Sequence, residues 1–154
     1  MRTSLQITDA VRDDVPLLVR LYELSGLDVA GVHDVSRAFA AWDRMRVAAP
    51  GARVLIARDG DRVIGTLTVF VLPLLTHGGA PECVVESVAV DPAAQGLGVG
   101  RGLIKVAMGI AREAGCYKLA LSSNLKREGA HAFYDALGFE RHGISFVVPL
   151  REES

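Results

Sequence analysis

Cysteine is scarce in this chain: Cys83 and Cys116 are the 2 among 154 residues. They lack C-x-x-C spacing, so neither a zinc site nor a disulfide framework is suggested. An excess of either charge is also missing. The 17 lysines and arginines nearly balance the 18 aspartates and glutamates, the net charge is −1 and the isoelectric point is about 6.4. That balance gives no electrostatic case for nucleic acid or an anionic membrane. Residues 63–81 carry no Asp, Glu, Lys or Arg, yet Gly65, Pro73, Gly78 and Gly79 break up the run and its patterning is strand-like. A membrane-spanning helix needs about 20 predominantly apolar residues, so none is expected. The first residues, MRTSLQITDAVRDD, put acidic side chains where a signal peptide has its apolar core, and the expected location is cytoplasmic. No internal repeat, low-complexity tract or linker stands out, and residues 1–154 are expected to form a single domain. With 50% hydrophobic residues and a mean hydropathy of +0.29, much apolar surface must be buried. An oligomeric interface, such as that of a homodimer, could take part of it.

What is present is organised around residues 83–115. Cys83 to Val90 form a β-branched, strand-like run, which Asp91-Pro92 then breaks. The loop Gln95-Gly96-Leu97-Gly98-Val99-Gly100 follows, and then a helix with Leu103, Ala107, Ile110, Ala111 and Ala114 on one face. A strand, a glycine loop and a helix make a device for holding phosphate. Glycines admit the anion to the backbone, and the orphan N–H groups of the first helical turn point at it.

The rest of the chain surrounds this unit. Residues 5–8 read as a strand. Asp13-Asp14 supply the cap and acidic first turn of a helix that carries Val15, Leu18 and Tyr22 and ends at Gly26. Asp34 caps a second helix with Val35, Ala38, Phe39, Trp42 and Met45 on one stripe, stopped by Pro50-Gly51. Residues 52–58 and 62–72 are predicted strands joined through Asp59-Gly60, a hairpin signal. A strand at 117–121, a helix at about 126–137 closed by Gly138, and an extended segment at 144–150 complete the chain. The order β-α-α-β-β-β-α-β-α-β points to an α/β (α+β) mixed sheet with helices on its faces.

The glycine spacing separates the ligands. It is G-x-G-x-G, where a dinucleotide fingerprint is G-x-G-x-x-G, and Arg101 stands where a Walker loop has lysine. The order Q-x-x-G-x-G directly after V-A-V-D-P resembles the acetyl-CoA signature of the GCN5-related N-acetyltransferase (GNAT) family. Ala132-Phe133-Tyr134 leading into Leu137-Gly138-Phe139 is similar to that family's late helix and its L-G-F. With the element order, the resemblance covers nearly the whole chain. It implies the GNAT-like acyl-CoA N-acyltransferase fold, with acetyl-CoA as donor and only cofactor, no metal, and a primary amine as acceptor. It also implies that loop amides from Gln95, Gly96, Gly98 and Gly100 grip the CoA pyrophosphate. The sheet would splay after its fourth strand, which would be bulged near residues 88–90. Main-chain groups of Val88 and Val90 would then hold the pantetheine arm and polarise the thioester carbonyl.

Glu86 interrupts an otherwise apolar strand. Burying an unpaired carboxylate is costly, so the position needs a reason. Either the strand opens to solvent there or an arginine pairs with it, or partial desolvation makes it a better proton acceptor. The resemblance implies a general base for the incoming ammonium, acting directly or through water. Tyr134 shares a helix face with Ala130, Phe133 and Leu137, as a core tyrosine would; the resemblance implies the general acid that protonates the CoA thiolate. Asn124 resembles the family's CoA-contacting polar residue, or it caps its turn. Arg101, Lys105 and Arg112 line one side of their helix, where Arg101 could reach a CoA phosphate. His77 either lines an acceptor pocket or sits at the surface, and His131 and His142 read as structural or exposed. Both cysteines read as apolar rather than nucleophilic. No Ser/His/Asp constellation appears, so no covalent acyl-enzyme is expected.

The acceptor is expected to be small and its pocket only mildly polar. The loops expected to shape it, residues 25–33 and 72–82, hold few titratable groups: Asp28, His33, His77 and Glu82. Direct attack of the amine on the thioester in a ternary complex is the expected mechanism. The alternative is a non-catalytic acyl-CoA-binding sensor or regulatory module, which would keep the glycine loop but need neither Glu86 nor Tyr134.

Overall fold

Hydrophobic periodicity and turn chemistry resolve into nine elements in the computed structural model, which describes residues 5–32, 34–123 and 127–151. The chain separates into two compact units, Met1–Ala120 and Leu121–Ser154.

The first unit is built on a five-stranded sheet in the order β1-β2-β3-β4-β5. Its strands are β1 (Leu5–Asp9), β2 (Arg53–Asp59), β3 (Arg62–Leu72), β4 (Glu82–Val90) and β5 (Lys118–Ala120). The first four pair antiparallel, and β4 pairs with β5 in parallel. The hairpin between β2 and β3 turns on Gly60-Asp61, one residue later than the Asp59-Gly60 signal, because Asp59 still pairs with Arg62. Its φ of +60° makes Gly60 the residue suited to the turn.

Three helices pack on this sheet: α1 (Val15–Ser25), α2 (Val35–Ala48) and α3 (Val99–Glu113). Side chains alternate along β3, so Gly65 faces Val99 and Leu103 of α3, while Thr68 and Phe70 face a cavity beneath α1 and α2. Leu103, Ile104 and Ala107 of α3 are fully buried, whereas Ala114 of the predicted stripe is exposed at the frayed end. Val15, Leu18 and Leu21 anchor α1. The Asp34 carboxylate accepts the Ser36 amide at 2.9 Å and so caps α2 as its sequence predicts. No residue of α2 is fully buried, because its apolar stripe overlies the cavity.

The second unit holds α4 (Glu128–Ala136), which ends where the Tyr134 carbonyl accepts the Phe139 amide and the Asp135 carbonyl accepts the Gly138 amide. Gly138 has a φ of +89°, the left-handed conformation this helix stop requires. The segment at 144–150, predicted as a last strand, pairs with no strand among the described residues. A strand exists only through the ladder that satisfies its backbone, and the β-branched composition of this segment does not supply one. Ile144, Phe146 and Val147 are more than 80% exposed. Among the described residues, no helix is long and apolar enough to cross a membrane.

Candidate active site

The site begins with an irregularity in β4. Thr66 pairs with Ala89 and Thr68 with Glu86, so Ser87 and Val88 together oppose the single residue Leu67. This is a β-bulge, with one extra residue on β4. Ser87 takes a φ of +54°, uncommon for a residue with a side chain. The bulge expected near residues 88–90 is therefore present, beginning one residue earlier, and it re-aims the strand immediately after Glu86.

On its other side β4 pairs with β5 only at Glu82, Cys83 and Val84. From Val85 to Val90, no strand among the described residues pairs on that side. The strand then runs into the glycine loop, where the Asp91 carboxylate accepts the Ala93 amide at 2.9 Å and the Arg62 guanidinium at 2.7 Å. The Ala93 bond and Arg62 hold the Asp91 pKa below the ordinary aspartate value, against an opposing push from burial. Asp91 thus fixes the corner from which the loop departs.

Gly96 and Gly98 both take φ of +82°, and a Cβ on either would meet no atom within 4 Å. Gly98 leads directly into α3, whose first-turn amides have no helical acceptor. Open space and unpartnered donors are what an approaching phosphate needs. Gln95 and Arg101 are exposed beside this loop, Gly100 is half-buried in the first turn, and Arg101 has no ion-pair partner among the described residues.

The model of the acetyltransferase (GNAT) family matches residues 18–139. The chain belongs to the GNAT acetyltransferase family. A glucosamine 6-phosphate N-acetyltransferase from Trypanosoma brucei brucei is 33% identical over 119 residues, covering 77% of this chain and 73% of the relative. A mycothiol acetyltransferase from Geodermatophilus obscurus is 36% identical over 106 residues, but this chain spans only 34% of its length. The crystal structure of a Trypanosoma brucei acetyltransferase aligns with a TM-score of 0.80 at 29% identity, covering 96% of this chain and 100% of that one. Acetyl transfer is therefore the general chemistry of this enzyme, and acetyl-CoA is the donor its family uses.

In this GNAT chain Glu86 lies at an open cavity of about 430 Å³. Leu18, Val19 and Tyr22 of α1 form one wall, and Ala38, Trp42 and Met45 of α2 form another. Thr68, Phe70 and Ser87 complete the sheet side. Glu86 is exposed, and it has neither a hydrogen-bond nor an ion-pair partner among the described residues. Of the two structural readings of this glutamate, opening of the strand to solvent holds and pairing with arginine does not.

Tyr134 lies in the second unit, 9% exposed. The rings of Phe133 and Phe139 meet it edge-on, with centroids at 5.2 and 5.5 Å. Burial raises its pKa above that of an ordinary tyrosine, with Arg127 opposing. Its hydroxyl has no hydrogen-bond partner among the described residues. Asn124 and His33 lie outside the described residues.

One expectation changes and several others hold. The cavity is walled by helices α1 and α2, and none of the described residues of the loops 25–33 and 72–82 lines it. His77 is stacked on Tyr117, with ring centroids 3.9 Å apart, and stays away from the cavity. Lys105, Arg112 and His142 are exposed. Cys83 is buried and its pKa is pushed up to about 11 by desolvation, so it is no nucleophile at neutral pH. Sequence reasoning missed Tyr22, Trp42, Thr68 and Phe70 as cavity residues. The signal was available as two aromatic residues on facing helix stripes, but it read as ordinary core.

Proposed function

We propose that this acetyltransferase moves the acetyl group of acetyl-CoA to the primary amine of a small molecule by direct attack in a ternary complex. The observation that carries this reading is the β4 bulge. It sets Glu86, a carboxylate unpaired among the described residues, in the cavity lining and leaves the next main-chain groups on an edge that no described strand pairs.

Bound acetyl-CoA would supply an activated acyl carbon as a thioester; all that follows belongs to this chain. Amides of residues 96–101, opening α3, take the pyrophosphate, with Gln95 and Arg101 beside them. The main chain of Val88 and Val90 pairs with the pantetheine arm and polarises the thioester carbonyl. Glu86 accepts a proton from the ammonium, directly or through water, freeing the nitrogen lone pair. As the C–N bond forms and the C–S bond breaks, the nitrogen gives up its second proton to solvent. Tyr134, in the second unit, is assigned the proton donated to the departing sulfur on family resemblance alone, and would regain it from water; burial keeps it protonated well above neutral pH. Asn124 is assigned a CoA contact on family resemblance alone.

The reading is tested by incubating the protein with acetyl-CoA and a broad set of primary amines, following thiol release and the mass of the product. Acetylated amine is expected in step with thiol release. Tight acetyl-CoA binding with no thiol released across the set would favour a non-catalytic acyl-CoA-binding module.

A further inference from the structure

The cavity has a strongly one-sided chemistry. Its walls are aliphatic and aromatic, with the rings of Tyr22, Trp42 and Phe70 among them. Glu86 is its one charged residue, and no Lys, Arg or His occurs among the described residues that line it. Three guanidinium groups on or beside these elements have partners, although Arg46 Nε is buried without one among the described residues. Arg46 lies over the Trp42 ring at 5.1 Å and donates to the Ala52 carbonyl at 2.6 Å. Arg12 pairs with Asp43, and Arg58 with Asp14.

Two of the polar lining residues are neighbours. Thr68 is the cross-strand partner of Glu86, and directly opposed residues bring their Cβ atoms within about 4.5–5.5 Å. The Thr68 hydroxyl has no hydrogen-bond partner among the described residues. A carboxylate beside a hydroxyl can receive two of the three N–H bonds of a primary ammonium. Tyr22 adds, on the α1 wall, a second hydroxyl with no hydrogen-bond partner among the described residues. Its pKa is raised by burial and further by Asp28, so it stays neutral at working pH.

Resting on the acetyl-transfer reading above, we propose that the acceptor is an aralkylamine: one primary ammonium held at Glu86 and Thr68, and an aromatic or branched-alkyl body seated against Trp42, Phe70 and Tyr22. The volume suits this class, since small-molecule sites run to about 300–1,000 Å³. An amino sugar phosphate fits poorly, because its dianion would enter a cavity whose only charge is negative. A polyamine fits poorly too, because its further ammonium groups would have no second carboxylate. One carboxylate with a neighbouring hydroxyl in an otherwise largely apolar lining matches an apolar molecule that carries one charge.

Trp42 is the single tryptophan of the chain, so its fluorescence reports occupancy of the cavity without any need for turnover. The experiment titrates the intact protein with 2-phenylethylamine, glucosamine 6-phosphate and spermidine, and measures kcat/KM for each with acetyl-CoA. Saturable change of Trp42 fluorescence is expected with 2-phenylethylamine alone. Its kcat/KM should exceed the other two by at least about tenfold, the low end of what apolar pocket contacts discriminate. Phe70→Ala should weaken 2-phenylethylamine binding by about tenfold; if that variant does not fold, the wild-type titration decides. Preferred turnover of glucosamine 6-phosphate or spermidine would overturn the aralkylamine assignment and leave acetyl transfer standing. Binding of 2-phenylethylamine without thiol release would support the ligand class and remove the transfer reading. Neither binding nor turnover of 2-phenylethylamine would overturn the assignment.

Discussion

Gly65 and Val99 meet where the sheet supports the start of α3: a Cβ on Gly65 would lie 2.5 Å from Val99 Cγ1 and 3.1 Å from Leu103 Cδ1. Val99 is buried and follows Gly98 directly, so the missing side chain on β3 sets how closely the glycine loop can lie against the sheet. Gly65→Ala should force Val99 outward, costing about 1–3 kcal/mol as overpacking does, and should weaken acetyl-CoA binding as well. Gly109→Ala, within α3 where an added Cβ meets nothing inside 4 Å, should instead stabilise by up to about 1 kcal/mol. Chemical denaturation of the two variants checks the contrast; equal stability would remove the steric role of Gly65.

A different constraint acts at Gly98. Space is open around its absent side chain, so the cost of Gly98→Val is conformational: a β-branched residue at a φ of +82° is strained by about 1–2 kcal/mol or more. The loop should relax away from this shape and lose its grip on pyrophosphate while the sheet stays folded. Calorimetric titration is the measurement. Unchanged acetyl-CoA affinity in a folded Gly98→Val protein would refute the loop assignment.

Asp91 links acid stability to the same corner. The Ala93 amide and Arg62 depress its folded pKa below the ordinary aspartate value of about 3.9. A depressed carboxylate contributes stability above its unfolded pKa, and that contribution is lost as pH falls through the folded pKa. Asp91→Ala should therefore cost about 0.5–2 kcal/mol near neutrality, the usual worth of such a cap. The gap between parent and variant should narrow below about pH 4. Denaturation curves at several pH values test this, and a gap that widens in acid would contradict it.

Local chemistry made much of this legible in sequence. β3 runs from Arg62 to Leu72 as its patterning predicts, Asp34 caps α2, and Gly26 and Gly138 end their helices. Each depends on neighbours within a few residues. What depends on long-range packing was less legible. The bulge at Ser87 follows from the register between β3 and β4, and only family resemblance suggested it. The cavity walls were assigned to loops because polar, irregular segments commonly carry sites. Here the α2 stripe of Ala38, Trp42 and Met45 lines a cavity, while Trp42 and Met45 also pack against the core cluster of Ala10, Leu18, Val54 and Ile56. Periodicity shows that a face is apolar; it does not show what that face covers. The segment at 144–150 makes the same point, since strand-like composition requires a partner edge.

Cys83 offers a simple check on burial. With its pKa at about 11, it should react with thiol reagents at neutral pH far more slowly than a free cysteine, whose pKa is about 8.5. Denaturant should expose it. Peptide mapping after timed alkylation of the folded protein gives the measurement, and rapid labelling of Cys83 without unfolding would contradict its burial.

The proposed proton transfers at Glu86 and Tyr134 leave different marks on a pH–rate profile. An amine must lose a proton before it attacks, and a thiolate leaves more readily when it gains one; each assistance is worth roughly 10²–10⁴-fold. Glu86→Gln keeps the size of the side chain and removes the acceptor. The loss should be greatest at neutral pH, with partial recovery at high pH, where the free amine is already abundant. Tyr134→Phe keeps the ring and its contacts with Phe133 and Phe139. It should reduce kcat with little change in acetyl-CoA affinity, and alkali should not restore the rate. Because burial raises the Tyr134 pKa, parent activity should not fall from tyrosine ionisation until pH exceeds the ordinary tyrosine value of about 10. A kcat for Tyr134→Phe within about twofold of the parent, far short of general-acid assistance, would make Tyr134 a packing residue only. An unshifted and undiminished profile for Glu86→Gln would leave water as the base.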